Sequence, residues 1–263
     1  NPGVNGERPD APGPASFTAS ISRTDRASLA AFVRENVARL SEADVVRCLR
    51  HPYSGEAVVK AVLEAPAHLA SREVRKAVVL HPAAPRADAL RLLEDLPWRD
   101  LADVGREART PAPIRHAANR RVLEKLPKLS LGEKTALARL ADRPLAAALL
   151  DGGEVDVLVA LLANPRLVEE DLTAWLLVRR PTEAQIERLA RSERWVERTA
   201  VRAALLVSPR TPRAIALALL TSSERPVWER LAGDPSADPL LAACARALLD
   251  GRGAPVDTSD GEG

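Results

Sequence analysis

The sequence predicts an all-α protein, an α-solenoid of about seven to eight stacked short helix pairs. Three observations predict it. Apolar residues make up 46% of the chain and aromatic residues 3%, so Leu, Ala and Val must fill the core, and Ala and Leu favour helix. Apolar positions recur at helical spacing in short runs broken by Pro, Gly and Ser, without convincing period-two alternation. The chain also repeats itself: VRKAVVLHPAAPRADALRLL at 74–93 and VRAALLVSPRTPRAIALALL at 201–220 share eleven identical positions at an offset of 127 residues.

The elements follow in order. Residues 1–22 are rich in Pro, Gly and Ser and are expected to be disordered. Leu29, Phe32, Val33, Val37 and Leu40 form the apolar stripe of a first helix over 25–40. Ser41 is the expected N-cap of the next helix, with Asp44 at the third helical position in a variant of the capping box. Ser54 opens SGEAVVKAVLEA, Ser71 opens SREVRKAVVL, and Pro85 opens PRADALRLLEDL, where its fixed φ suits a first turn. Further helices are expected at 98–107, 112–126, 130–140, 143–150 and 154–163. Ser130 and Glu133 make a capping box, and Asp151, Gly152 and Gly153 a turn. The remaining helices fall at 168–178, 182–191, 196–207, 212–220, 225–232 and 238–250. Glu169, Glu170 and Asp171 occupy a first turn, where negative charge offsets the helix dipole. The Gly-rich, acidic segment 251–263 is expected to be disordered.

The helical-repeat domain is expected over 23–250. Its duplicated halves are 40–124 and 167–250, joined by helices at 128–166. Leu40, Glu42, Asp44 and Leu49 meet Leu167, Glu169, Asp171 and Leu176, and a one-residue slip then sets IRHAANRRVLE (114–124) against LLAACARALLD (240–250). One period holds about four helix pairs of roughly 32 residues. Helices this short are marginal alone, so stacking makes the core.

Val74-Arg75 before Ala77, Ile114-Arg115 before Ala117-Ala118, and Val201-Arg202 before Ala203-Ala204 resemble the V-R-x-x-A pattern of HEAT-like repeats. HPAAPRADALRLL, NPRLVEEDLTAWL and SPRTPRAIALALL resemble the N-P-x-L-P-x-x-x-L pattern of leucine-rich variant repeats, with His81 and Ser208 in the place of the family's Asn. Both resemblances imply a helical solenoid.

Charge and motifs limit the function. The formal net charge is +2 with arginine far outnumbering five lysines, a mild balance unlike that of an obligate nucleic-acid binder. Arginine excess fits GC-rich bacterial coding and surface ion pairs. Cys48 and Cys244 sit in apolar helical patterns and read as small buried residues. No run approaches the ~18 apolar residues of a membrane span, and no signal peptide is visible, so a cytoplasmic place and no membrane partner are expected. The chain has no Met, which points to a start that is trimmed or unrecorded.

His51, His68, His81 and His116 lack metal-ligand spacing. His51 and His81 precede Pro at helix ends, where a cation would favour the dipole. No phosphate loop or nucleophile motif is present. No catalytic residue, cofactor or metal site is expected. Trp98, Trp175 and Trp228 read as packing between repeats.

RSERWVERTAVRAALLV (191–207) resembles the S-x-x-W-x-x-R-x-A stretch of the alkylpurine DNA glycosylases, which are built from HEAT-like repeats and hold DNA on a basic surface. That resemblance implies a surface of Arg188, Arg191, Arg194, Trp195, Arg198 and Arg202. The expected function is a non-enzymatic scaffold for a protein or peptide partner. The alternative is a HEAT-like nucleic-acid-binding protein.

Overall fold

The computed structural model describes residues 26–179 and 181–251. The segment 1–22, and 251–263 apart from Gly251, lie outside the described residues. Among the described residues the chain is all-α, with eighteen α-helices and no strand.

Residues up to Lys125 and residues from Leu126 form two compact units. The first contains α1 (Arg26–Asn36), α2 (Glu42–Arg50), α3 (Glu56–Leu63), α4 (Pro66–Leu69), α5 (Arg72–Leu80), α6 (Arg86–Leu93), α7 (Trp98–Arg106) and α8 (Ala112–Lys125). Helix α5 packs on both α2 and α7 in one layer, while α1 packs on α3 and α6 on α8 in the other. Contacts within the pairs α2–α3, α5–α6 and α7–α8 join the layers.

The second unit contains α9 (Leu131–Leu140), α10 (Arg143–Leu150), α11 (Val155–Leu162), α12 (Glu169–Val178), α13 (Glu183–Ala190), α14 (Glu193–Val196), α15 (Thr199–Val207), α16 (Arg213–Thr221), α17 (Arg225–Gly233) and α18 (Pro239–Leu249). Here α12 joins α10 and α15 in one layer, α11 joins α9 and α13 in the other, and α16 packs on α18. Each unit is by itself a two-layer stack whose apolar stripes face one another, as alternating short amphipathic helices require.

The helix starts follow the sequence logic. Ser41 Oγ accepts from Asp44 N, and Ser130 with Glu133 closes a full capping box. Thr182 and Gln185 form a second box. Ser71 stands at an N-cap, yet its hydroxyl goes to Glu42 Oε2 at 2.8 Å. The expected opening at Ser54 moves one residue on, to Gly55.

The 127-residue register is strict. Helices α3, α4, α5 and α7 return with identical lengths as α13, α14, α15 and α17, and α2 and α8 begin 127 residues before α12 and α18. The expected one-residue slip is therefore corrected. Without it, Ile114 and Ala118 meet Leu241 and Ala245, and all four are buried. The slip would set buried Ile114 against exposed Leu240. Helices α1 and α11 hold corresponding places before these, so the likeness extends beyond residues 40 and 167 toward the N-terminus.

The V-R arginines have a common task. Arg75 donates to the carbonyls of Leu69 and Ala70, Arg115 to those of Ala108 and Thr110, and Arg202 to that of Val196. Each ties the first turn of its helix to the segment before it and satisfies carbonyls left open there.

The histidine expectation is corrected. His51 and His81 do stand at helix ends, but each Nδ1 accepts a hydrogen bond, from Tyr53 N at 3.2 Å and Ala83 N at 3.1 Å. A nitrogen that accepts carries no proton, so both rings cap the chain as neutral acceptors. Burial also lowers the pKa of His81. Cys48 and Cys244 are free thiols, and burial pushes Cys48 up to about 11. Trp98 and Trp175 are buried, while half-buried Trp228 donates to Leu220 O at 2.8 Å. No described helix is long and apolar enough to cross a membrane.

Candidate functional site

The internal repeat supplies a control for every surface position. Packing constrains residues shared between copies, so a function peculiar to one copy depends on positions that differ, either in the site itself or among its neighbours.

The groove between α11 and α13 differs in charge from its counterpart in the first copy. It has a volume of about 360 Å³ and is lined by Val159, Leu162, Ala163, Arg188, Arg191, Ser192 and Arg194. No carboxylate is among these residues. The corresponding groove in the first unit, between α1 and α3, holds Arg34 and Lys60 against Glu56 and Glu64. Lys60 and Glu56 pair there at 2.7 Å. At an offset of 127 residues, Ala61, Glu64 and Ala67 stand where the second copy has Arg188, Arg191 and Arg194. One groove is balanced, and its repeat carries three guanidinium groups.

Local structure places each of them. Arg188 and Arg191 lie one turn apart on the exposed side of α13, while Ile186 and Leu189 enter the core. Glu187 reaches Arg191 at 3.7 Å, and Arg188 has no hydrogen-bond or ion-pair partner among the described residues. Arg194 lies on the single-turn helix α14. Its guanidinium sits 4.8 Å from the centroid of the Trp195 ring and donates to Leu162 O at 3.3 Å. Stacking on the indole fixes the plane of the fork and leaves its remaining donors for a ligand.

The other three expected residues are not in this groove. Trp195 is 3% exposed and spends its Nε1–H on Leu162 O at 2.9 Å, which docks α14 against the end of α11. His68, at the same place in the first copy, approaches Val37 O with Nε2 at 2.6 Å. A carbonyl can only accept, so that nitrogen carries the proton and the two rings do the same work. Arg202 is bound to the carbonyls of Val196 and Ser222, each at 3.0 Å. Arg198 is the exposed N-cap residue of α15 and does not line the groove.

Three convergent arginines above apolar side chains suit a carboxylate or phosphate group, which a guanidinium binds through paired hydrogen bonds. The apolar floor of Val159 and Leu162 was not foreseen from the sequence. Setting Ala61, Glu64 and Ala67 against the three arginines was the signal that marks the site. No family model, curated protein or solved structure matches the chain.

Proposed function

We propose that this chain is a non-enzymatic, HEAT-like helical-repeat scaffold of the cytoplasm that mediates protein–protein interaction, and that the α11–α13 groove receives an acidic segment of the partner. One observation carries the reading: the same groove is charge-balanced in the first copy and holds Arg188, Arg191 and Arg194 without a lining carboxylate in the second. Packing does not require that change, since the shared apolar positions are buried in both copies. The common role of Arg75, Arg115 and Arg202 supports the HEAT-like assignment.

The test is fluorescence anisotropy of the full chain with a labelled Asp/Glu-rich peptide and with a labelled DNA duplex, each at two salt concentrations. The acidic peptide is expected to bind, and Arg188→Glu/Arg191→Glu/Arg194→Glu to abolish binding with helix content intact. Three phosphate contacts would give duplex DNA a log–log salt slope of about −3. Tight, salt-sensitive duplex binding at low micromolar protein, lost in the same variant, would replace the scaffold by the nucleic-acid reading. Peptide binding unchanged in the variant would remove the groove from the function.

A further inference from the structure

Helices α2 and α12 hold equivalent places, and Asp44 and Asp171 stand at the third position of each. In α2 the carboxylate is fully engaged. Ser41 Oγ donates to Oδ2 at 2.6 Å and Arg47 Nη1 to Oδ1 at 2.9 Å. In α12 both donors are gone, because Val168 replaces the serine and Ala174 the arginine. Arg143 of α10 takes Oδ1 at 2.6 Å. Oδ2 is buried and has no hydrogen-bond partner among the described residues. A buried acceptor left unsatisfied carries its full desolvation penalty, and a larger one when charged.

The surroundings of Asp171 changed with it. Its side chain is 8% exposed and lines a cavity of about 290 Å³ between α10 and α12. Ala147, Leu150, Ala174, Trp175 and Val178 form the apolar walls. At the mouth Asp151 is paired with Arg179 at 3.5 Å. Where the first copy has Arg50 and His51, this copy has Leu177 and Val178, and Val178 is 76% exposed. The second copy has lost two internal donors and gained an apolar approach to the acceptor they served.

We propose that this cavity binds a lysine or arginine side chain of a partner polypeptide, its alkyl stem along Val178 and Trp175 and its cationic head at the Asp171 carboxylate, a turn of the Asp171 side chain bringing the buried Oδ2 to the cation. A cation fits better than a neutral donor for two reasons. Glu169, Glu170 and Asp171 place three carboxylates in one turn, with Arg143 as the cation on Asp171 and Arg179 taken by Asp151. A charge-assisted hydrogen bond is also about twice as strong as a neutral one. The exposed Val178 and Leu177 suit apolar residues flanking the basic one. The site lies in the opposite layer from the arginine groove, carries the opposite charge, and stands or falls independently of it.

Nuclear magnetic resonance of the ¹⁵N-labelled full chain tests this. Three probes are titrated: acetyl-Leu-Lys-Leu-amide, its norleucine isostere, and n-butylamine. The lysine peptide is expected to shift the amides of Ala147 and Ala174 and the indole of Trp175 at least tenfold more tightly than either other probe. Asp171→Asn is expected to erase the lysine preference. Ala174→Arg should close the cavity and abolish binding, and the smaller change Val168→Ser, which returns the hydroxyl partner, should weaken binding severalfold and serves as the readout if Ala174→Arg does not fold. Equal binding of the norleucine peptide, or a lysine preference that survives Asp171→Asn, overturns the proposal. Butylamine binding as tightly as the lysine peptide overturns the assignment to a polypeptide partner. None of these three results bears on the acidic-peptide experiment on the arginine groove.

Discussion

Asp100 is buried at 1% exposure between α5 and α7, and three charge-assisted hydrogen bonds hold it there. Arg72 gives Nε at 2.5 Å and Nη2 at 3.0 Å, and Lys76 gives Nζ at 2.9 Å while also reaching Asp103. Burial pushes the Asp100 carboxyl up, but the hydrogen bonds and charges of Arg72 and Lys76 outweigh it and leave the pKa below the usual value. Asp100→Asn keeps the shape, removes the charge, and turns an amide NH₂ toward guanidinium and ammonium donors. Breaking a buried pair on one side costs about 3–5 kcal/mol. The Arg72 side chain is half exposed, which argues for the lower end, about 3 kcal/mol. With a urea slope of about 2 kcal/mol/M, the unfolding midpoint should fall by about 1.5 M, read by circular dichroism at the helix band. Because the folded pKa is lowered, this contribution is full above the unfolded value of about 3.9 and is lost as pH falls through the folded one. The wild-type and Asp100→Asn midpoints should therefore converge at acid pH. The second copy supplies the control, with Thr199, Ala203 and Val227 at the places of Arg72, Lys76 and Asp100. The triple variant Arg72→Thr/Lys76→Ala/Asp100→Val removes the whole network, and Asp103 retains Arg106 at 2.6 Å. Well-packed apolar replacement of a buried ion pair is close to neutral, so the triple variant should stay within about 1 kcal/mol of wild type. If the triple variant is as unstable as Asp100→Asn, or the single variant is as stable as wild type, the reasoning fails.

Two further outcomes concern the helix ends. The pKa of His81 is lowered by burial, so the stability its neutral ring gives is full above the unfolded value of about 6.5 and is lost as pH falls toward the folded one. His81→Asn, which keeps an acceptor for Ala83 N, should flatten the decline in urea midpoint between pH 7.5 and 5.5; an unchanged decline refutes the role. Ser208 stands at the equivalent place with a buried hydroxyl that lacks a hydrogen-bond partner. Ser208→Asn supplies a longer acceptor for the amide two residues on, as Asn164 does for Arg166 N at 2.8 Å, and should stabilise by about 1 kcal/mol in the same urea assay.

Which parts of this molecule were legible in the sequence follows from what periodicity can encode. Sixteen of the helices were visible because each repeats its apolar stripe over two turns or more. Helices α4 and α14 escaped because four residues make a single turn, and one turn has no period. The sequence register around α18 is ambiguous by one residue because LLAACARALL is apolar all round apart from Arg246, and only burial tells Leu241 from Leu240. The arginines were legible as charge but not as direction. Arg202 and Arg188 are alike in sequence, yet one is tied to carbonyls by the V-R position and the other faces the groove. Asp44 and Asp171 mark the deepest limit. They are identical residues in aligned helices, and conservation between copies would assign them one role. Their difference lies in Ser41 against Val168 and Arg47 against Ala174, neighbours that carry no motif. A duplicated helical chain keeps its core by keeping its apolar positions, and it acquires something new where a retained polar residue loses its internal partners. The unsatisfied oxygen of Asp171, more than any motif, is where the second copy has stopped being a copy.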